Sequence, residues 1–258
     1  MTIDLTPYQL KRPEKVDWQF EMTGPTILES VKSKGLRSFL RRSPELLAAQ
    51  NIEVVFEPLT ESSFTDWLPY YQAKMTDQGY NVIASPEWYS ERVAKGWQLF
   101  GLWFKKDGVM VGSAIMSLHD GIGNIHFKAS DRIDLSSQST SSLGAVIDFL
   151  FAENIQKAGA TQIFGGRSRN AFGVHNTLGY LDFKLRFGYV PIKPSDLPLQ
   201  DEVPLNEEGV VVFCAEDTQT SKWGMYALAP ADWTGPFDAA RFATQERPFE
   251  IISYQTIS

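Results

Sequence analysis

The sequence predicts an α/β fold: a mixed sheet, in which an antiparallel meander precedes a parallel strand, flanked by helices. Three observations predict it. Strand-like and helical stretches alternate from Asn51 onwards. The pairs Asp107-Gly108 and Asp120-Gly121 separate three consecutive strand-like stretches, and Asp-Gly is a strong hairpin signal. A helical stripe over 141–157 then precedes a short apolar stretch over 161–164, as expected of a helix that leads into a buried strand.

One strand and two helices come first. Residues 52–57 are rich in β-branched side chains and alternate like a strand. Thr60 is a capping residue, and apolar side chains spaced by three and four continue the following helix to Met75. Ser85 and Pro86 predict a second helix, because serine caps a helix and proline suits its first turn.

The meander and the closing elements follow. The meander strands are predicted over 99–104, 109–119 and 124–130. The helix over 141–157 ends at Ala158-Gly159, since glycine favours a helix C-terminus. The remaining predictions are a buried strand over 161–164, a helix over 172–183, and strands over 189–192 and 209–215.

Composition and charge exclude several classes of protein. The 258 residues carry 24 basic and 31 acidic side chains, for a net charge of −7, which disfavours a dedicated nucleic-acid binder. A single cysteine, Cys214, allows no internal disulfide, and with three histidines it cannot build a Cys-based zinc cluster. No stretch is typical of a signal peptide or a membrane span. We expect a cytoplasmic protein with no metal.

The charge and aromatic patterns suggest three parts. Residues 1–50 form a basic, helical N-terminal extension in which Lys34, Arg37 and Arg41 share one helix face. This face is either solvated or in contact with an anionic substrate. Residues 51–215 form the main domain. Residues 216–258 are rich in aromatic side chains and either pack on that domain or form a homodimer surface.

The predicted order of elements resembles that of the GNAT acyltransferase fold, and two motifs narrow the resemblance. The stretch 35–42 (Gly-Leu-Arg-Ser-Phe-Leu-Arg-Arg), about ten residues before a strand, is similar to the entry of the Fem-type aminoacyltransferases and the related acetyltransferases of cell-wall and exopolysaccharide chemistry. The stretch 183–189 (Phe-Lys-Leu-Arg-Phe-Gly-Tyr) is similar to the F-K-x-x-F-G that closes the last helix in that group. The resemblance covers about residues 35–192 and implies a GNAT-like mixed sheet.

The resemblance implies an N-acyltransferase that moves an activated acyl group to an amine of a small molecule or peptide. The implied co-substrate is an acyl-CoA or acyl carrier protein thioester. An aminoacyl-tRNA donor, as in the Fem-type enzymes, is the alternative, and a non-catalytic GNAT-fold binding protein is a third interpretation. The net charge of −7 favours the thioester, whereas the basic face favours tRNA.

The donor site of this fold lies at a helix N-terminus that follows a glycine-rich turn. Here the corresponding stretch, 134–144, is rich in hydroxyl groups and lacks those glycines. A helix N-terminus still presents free N–H groups to an anion, so Ser141, Ser142 and Gly144 are donor-site candidates, with a plain capped helix start as the alternative.

Acyl transfer to an amine needs a proton acceptor, and the histidines are the best candidates. If the hairpin is centred on Ile122-Gly123, His119 lies directly opposite His126 on the neighbouring strand. In the resembled fold this strand borders the cleft. We therefore assign His126 and His119 as candidate catalytic residues, against the alternative that they face solvent.

Cationic and polar residues after the buried strand are candidate ligand contacts. Arg167, Ser168 and Asn170 follow two glycines at a strand end, where open α/β sheets border their clefts. Lys184 and Arg186 belong to the motif at 183–189 and can hold a phosphate or carboxylate; surface charge at a helix end is the alternative.

Overall fold

The computed structural model describes residues 1–136, 142–233 and 249–254. The chain forms two compact units. We call Phe20–Gly166 the central unit, and Met1–Gln19 with Arg167–Ser258 the terminal unit. The chain leaves the central unit within a single strand.

The elements are numbered along the chain. The first are β1 (Thr2–Asp4), β2 (Leu10–Pro13), β3 (Lys15–Phe20), α1 (Ile27–Ser30), α2 (Lys34–Arg41), α3 (Ser43–Ala49) and β4 (Ile52–Pro58). Next come α4 (Glu61–Asp77), α5 (Trp88–Ala94), β5 (Gln98–Lys106), β6 (Val109–His119), β7 (Ile122–Ser130), α6 (Leu143–Lys157) and β8 (Gln162–Arg169). The last are α7 (Leu178–Phe187), β9 (Tyr189–Ile192), β10 (Leu199–Gln200), β11 (Glu202–Pro204), β12 (Val211–Asp217), β13 (Trp223–Pro230) and β14 (Phe249–Tyr254).

The sheet of the central unit has the strand order β4-β5-β6-β7-β8. The first four strands pair antiparallel, and β8 pairs parallel with β7. Both Asp-Gly pairs form the hairpin turns, with positive φ at Asp107 (49°), Gly108 (81°), Asp120 (49°) and Gly121 (75°). The predicted mixed sheet, a meander followed by a parallel strand, is confirmed.

One face of this sheet packs against α4 and α5. Helix α4 begins at the predicted cap, where Thr60 and Ser63 form a capping box. Its apolar stripe contributes Phe64, Trp67 and Tyr71 to an aromatic core that also includes Trp88 of α5 and Phe127 of β7. We call this side of the sheet the aromatic face.

Helix α6 packs on the opposite face. Added Cβ atoms at Gly112 of β6 and Gly123 of β7 would meet side chains of this helix, including Ile147 at 3.2 Å and Ile155 at 2.7 Å. These two glycines therefore let α6 lie close to the sheet. The side chains of β6 and β7 consequently project either towards α4 and α5 or towards α6.

The terminal unit draws its strands from both ends of the chain. One of its sheets has the order β10-β2-β12-β13-β14, β1 pairs with β11, and β3 is a neighbour of β9. Residues 1–20 thus hold three strands, where the sequence analysis predicted a helical extension; the helices lie over 27–49. The domain boundaries predicted after residues 50 and 215 stay a prediction.

The helix predicted over 172–183 is displaced towards the C-terminus and spans 178–187 instead. Phe172 exchanges backbone hydrogen bonds with Val212 at 2.7 and 2.9 Å, which holds the preceding segment extended. The Thr177 side chain then accepts a hydrogen bond from the Tyr180 N–H at 3.1 Å and caps the helix.

Candidate active site

A β-bulge in β7 determines where His126 points. The pairs of β6 with β7 include His119↔Ile122, Ser117↔Asn124, Met116↔Ile125 and Ile115↔Phe127. His126 therefore has no partner in β6, and its side chain and that of the next residue, Phe127, both contact the ring of Trp88 on the aromatic face, at 5.0 and 4.9 Å between ring centroids. A bulge has this effect because its extra residue interrupts the alternation of side chains.

The predicted pairing of His119 opposite His126 is wrong. The hairpin turns at Asp120-Gly121, so His119 pairs with Ile122. The stretch Asp-Gly-Ile-Gly contains two glycines, and the prediction centred the turn on the second instead of the first. The two histidines are nevertheless linked, because both imidazoles stack with the Trp97 ring at 5.6 Å between centroids.

Ser117 is the hydrogen-bond partner of His126. Its Oγ lies 2.7 Å from Nε2 of His126, and Ser117 is fully buried. The bond fixes the orientation of the imidazole within its aromatic surroundings. A neutral imidazole has one N–H and one lone pair, so when Nε2 donates to Ser117, Nδ1 is the proton acceptor.

The surroundings of His126 keep it neutral. Burial, together with the smaller effect of the positive charge of Arg92, lowers its pKa to about 4. At neutral pH the imidazole therefore carries an available lone pair and no charge. His126 can accept a proton without first having to lose one.

This shift predicts acid destabilisation that depends on His126. In the unfolded chain the group titrates near its ordinary value of 6.5, whereas the folded protein keeps it neutral down to about 4. The unfolded state therefore binds the proton first, and stability falls as the pH drops from 6.5 towards 4, by up to about 1.4 kcal/mol per pH unit. Urea melts at several pH values in this window should show the unfolding free energy falling more steeply with decreasing pH in the wild type than in His126→Gln. The same pH dependence in both proteins would contradict the assignment.

The pairing of β7 with β8 is short. It includes Ile122↔Gln162, Gly123↔Ile163 and Asn124↔Phe164, and ends there. Strand β7 continues to Ser130, and within the central unit β8 continues to Gly166. The ladder pairs between the two strands thus end at Asn124↔Phe164, just before the bulge at His126.

The N-terminus of α6 contains two of the predicted donor-site residues. The Ser142 side chain caps the helix, accepting from the Ala145 N–H at 3.4 Å, and Gly144 lies in the first turn. Ser141 lies outside the described residues. Further along the helix, the buried carboxylate of Asp148 pairs with Lys128 of β7. The donor-site assignment stays a prediction.

The candidates after the buried strand lie in the terminal unit and have protein partners. Arg167 forms ion pairs with Asp17 at 2.6 Å and Asp196 at 2.9 Å. The Ser168 Oγ accepts a hydrogen bond from the Trp18 indole at 2.8 Å. Asn170 is fully buried, and its amide bonds to backbone groups of Pro13 and Cys214 at 2.7–3.0 Å. These bonds support structural roles, and a ligand-binding role for these residues stays a prediction.

The motif residues of α7 are also held by the protein. Lys184 is only 3% exposed, and its ammonium lies over the rings of Tyr189 at 4.2 Å and Tyr180 at 5.7 Å. Arg186 pairs with Asp182 one turn earlier, at 3.6 Å. Their assignment as binding residues stays a prediction.

Sequence reasoning missed Arg92, Ser117 and the two tryptophans beside His126. Trp88 and Arg92 lie four residues apart on a predicted helix and so share one face, a signal that was available. Ser117 could not be found, because its contact with His126 depends on the bulge.

Two structural features are absent from the described ranges. The described residues contain no group of three or more His, Cys, Asp or Glu side chains placed to hold a metal ion. Nor does any described helix have the length and apolar character needed to cross a membrane.

The sheet order and its flanking helices agree with the predicted GNAT-like fold of the Fem type. The solved structure of FemX is similar, with a TM-score of 0.50 and 11% sequence identity over 74% of this chain and 62% of the FemX chain. The tandem GNAT protein of the clavulanic acid pathway (TM-score 0.43, 11% identity, 78% of this chain and 58% of that one) and L-PGS from Bacillus licheniformis (0.43, 12%, 72% and 61%) also match, less closely in fold.

No protein-family model matches the chain, and no curated protein matches it by sequence. The chain spans less than two thirds of the FemX chain. The likeness confirms the predicted fold, and at this identity it shows the fold alone.

Proposed function

We propose that the chain is an N-acyltransferase in which His126 receives the proton of the attacking amine. The observation that supports this most is the position of His126: a neutral, oriented imidazole at the bulge where β7 leaves β8, in a Fem-type fold. As part of this proposal, we expect the protein to act in the cytoplasm.

We place the extended acyl donor where the β7–β8 ladder ends, beside His126. Strand edges bind extended ligands through main-chain hydrogen bonds. A bulge also interrupts the ladder, so backbone N–H groups near His126 can face the carbonyl oxygen on which negative charge develops. The acyl group would then lie beside the imidazole.

The chemical step balances without a further reactant. The amine nitrogen attacks the acyl carbon, a C–N bond forms, and the bond to the thiol leaving group breaks. Nδ1 of His126 takes one proton of the amine, and the imidazolium then gives this proton to the departing thiolate, which leaves as the thiol and returns His126 to its neutral form. Ser117 is a positioning residue, since its bond to Nε2 leaves Nδ1 as the acceptor.

We place the donor at the N-terminus of α6, with an acyl thioester of coenzyme A or acyl carrier protein as the donor class. Phosphates are stabilised at helix N-termini by N–H groups and the helix dipole. Helix α6 lies on the face of the sheet opposite to His126, so a thioester arm would pass between β7 and β8 to reach it.

Coenzyme A should stabilise the wild type in a thermal-shift titration, and Ser142→Asp should abolish the effect. Aspartate also caps a helix well, so the fold is kept while its charge repels phosphate. Thr177→Asp adds the same charge at the cap of α7 and is the matched control. Equal stabilisation of the wild type and both variants would show that the donor does not bind at the N-terminus of α6.

An aminoacyl-tRNA donor is the second candidate, because Lys34, Arg41 and Arg42 are exposed on and next to α2. Arg37 also lies on this helix, but it donates to the Val31 carbonyl at 2.7 Å. Reversal of the three exposed charges should therefore leave the fold intact.

The salt dependence of binding separates the two donor classes. Binding of tRNA should weaken steeply with salt and should be lost in the charge-reversed variant, whereas a thioester donor should show a shallow dependence. Absence of transfer with every donor class would favour the non-catalytic binding protein.

A further inference from the structure

Arg92 of α5 is held by aromatic rings and not by acids. Its guanidinium carbon lies 4.8 Å from the Trp97 ring centroid and 5.7 Å from that of Trp88. Within the described part of the chain, it forms no ion pair, although Glu91 precedes it directly. Its Nε is buried and has no hydrogen-bond partner there.

This arrangement is unusual for an arginine in a folded protein. The guanidinium is charged at every relevant pH, and a buried N–H without an acceptor costs free energy. The two tryptophans hold the guanidinium in place through cation–π contacts but accept none of its N–H bonds. Within the described residues, the cluster therefore leaves the buried Nε–H of Arg92 without an acceptor.

Arg92 and His126 share the same tryptophans. The His126 ring lies 5.0 Å from that of Trp88 and 5.6 Å from that of Trp97. The guanidinium and the imidazole thus contact the same two rings on the aromatic face. Both lie on the aromatic face, whereas α6, where we place the donor, lies on the other face of the sheet.

We propose that Arg92 binds the carboxylate of the acceptor, so that the acceptor is an amino acid or another short amine that carries a carboxylate. The inference rests on the proposed function for the identity of this ligand as the acceptor. A guanidinium presents paired N–H groups that match a carboxylate in a bidentate fork. The phosphates of the donor are placed on the opposite face of the sheet. We therefore assign to Arg92 the carboxylate of the acceptor and not a phosphate of the donor.

A carboxylate at Arg92 would also act on His126. Its negative charge would offset the positive charge that helps to lower the pKa of the imidazole. The other titratable groups around His126 are His119, across Trp97, with its neighbour Asp120, and Tyr71, which packs on Phe127. Acceptor binding would thereby make His126 a stronger base when the amine is in place.

The test uses a small carboxylate and needs no donor. Acetate is titrated into the protein, and the indole N–H signals of Trp88 and Trp97 are followed by NMR. Acetamide, which has the same shape without the charge, is the matched ligand, and inorganic phosphate is the third probe. We expect saturable shifts with acetate and none with acetamide.

Variants assign the binding to Arg92. Arg92→Gln should weaken acetate binding tenfold or more, and Arg92→Lys should restore only part of it, because lysine keeps the charge but loses the fork. Lys95→Gln removes an exposed positive charge just after α5 and should bind like the wild type. If Arg92→Gln does not fold, the comparison of Arg92→Lys with the wild type decides.

Three outcomes would overturn the proposal: no saturable acetate response in the wild type, an equal response in the Arg92 variants, or tighter binding of phosphate than of acetate. A failure to detect acyl transfer would leave this result unchanged, since no donor is present. The failure of the proposed function and the failure of the carboxylate site are thus separate observations.

Discussion

His126→Gln should lower the rate of acyl transfer by about 10²- to 10⁴-fold, the range typical for loss of a general base. Glutamine keeps a donor for the Ser117 hydroxyl, 2.7 Å from the histidine ring in the wild type, so the orientation of the strand is preserved. Its amide has no lone pair that accepts a proton near neutral pH. The loss should appear in kcat, measured with the donor that the titrations identify.

His119→Gln is the matched control for this prediction. His119 also stacks with Trp97, but its side chain is 42% exposed and lies beside Asp120, at 3.3 Å. Its removal should change the rate by less than about threefold if His126 alone is the base. Full activity in His126→Gln, or equal losses in the two variants, would refute the assignment of His126 as base.

Phe187→Ala should destabilise the protein by about 3–5 kcal/mol, the usual cost of deleting a buried phenylalanine ring. Phe187 is fully buried in the terminal unit and stacks with Tyr189 at 5.2 Å. Deleting its ring also removes a packing partner of Tyr189, the ring on which the Lys184 ammonium lies. Chemical denaturation at neutral pH measures the loss.

Phe183→Ala is the same change one helical turn earlier. Phe183 contacts Phe187 at 5.7 Å but is only partly buried, so its loss should cost about 1–2 kcal/mol. Equal costs at the two positions would show that the burial of Phe187 is not what stabilises α7.

The meander was predictable because its signals are local. Asp107-Gly108 and Asp120-Gly121 adopt the positive φ angles that such turns need, and the strand between them, β6, is continuously buried over 111–118. The cap of α4 at Thr60 is equally local, since the capping box lies within four residues. Short-range chemistry therefore accounts for most of the central unit.

The site itself depends on features that short-range chemistry does not encode. One extra residue in β7 places His126 beside Ser117, and no pattern in the sequence marks the bulge. The hairpin turn lies two residues earlier than predicted, so His119 pairs with Ile122 and not with His126. The contact between Arg92 and Trp97 depends on how α5 packs on the sheet, so only its pairing with Trp88 along the helix could be anticipated.

The N-terminal strands were missed for a different reason. Residues 15–20 alternate between half-buried and buried side chains, with Val16 and Trp18 fully buried, and this strand pattern was present in the sequence. Their partners are far away along the chain: β2 pairs with β12, and β1 with β11. The alternation was therefore visible in the sequence, but nothing near it along the chain showed which strands these residues would join.

The composition of the terminal unit from both chain ends has a consequence for biosynthesis. On the ribosome, residues 20–166 are complete before the partner strands of β1 and β2 have been made. These first strands to be translated are thus among the last to be paired, and Leu5 and Leu10, which are buried in the folded protein, stay exposed to chaperones and proteases meanwhile. Nascent chains stalled after Gly166 should therefore resist limited proteolysis over the central unit while residues 1–13 are cleaved; protection of that N-terminal segment at this stage would exclude this order of folding.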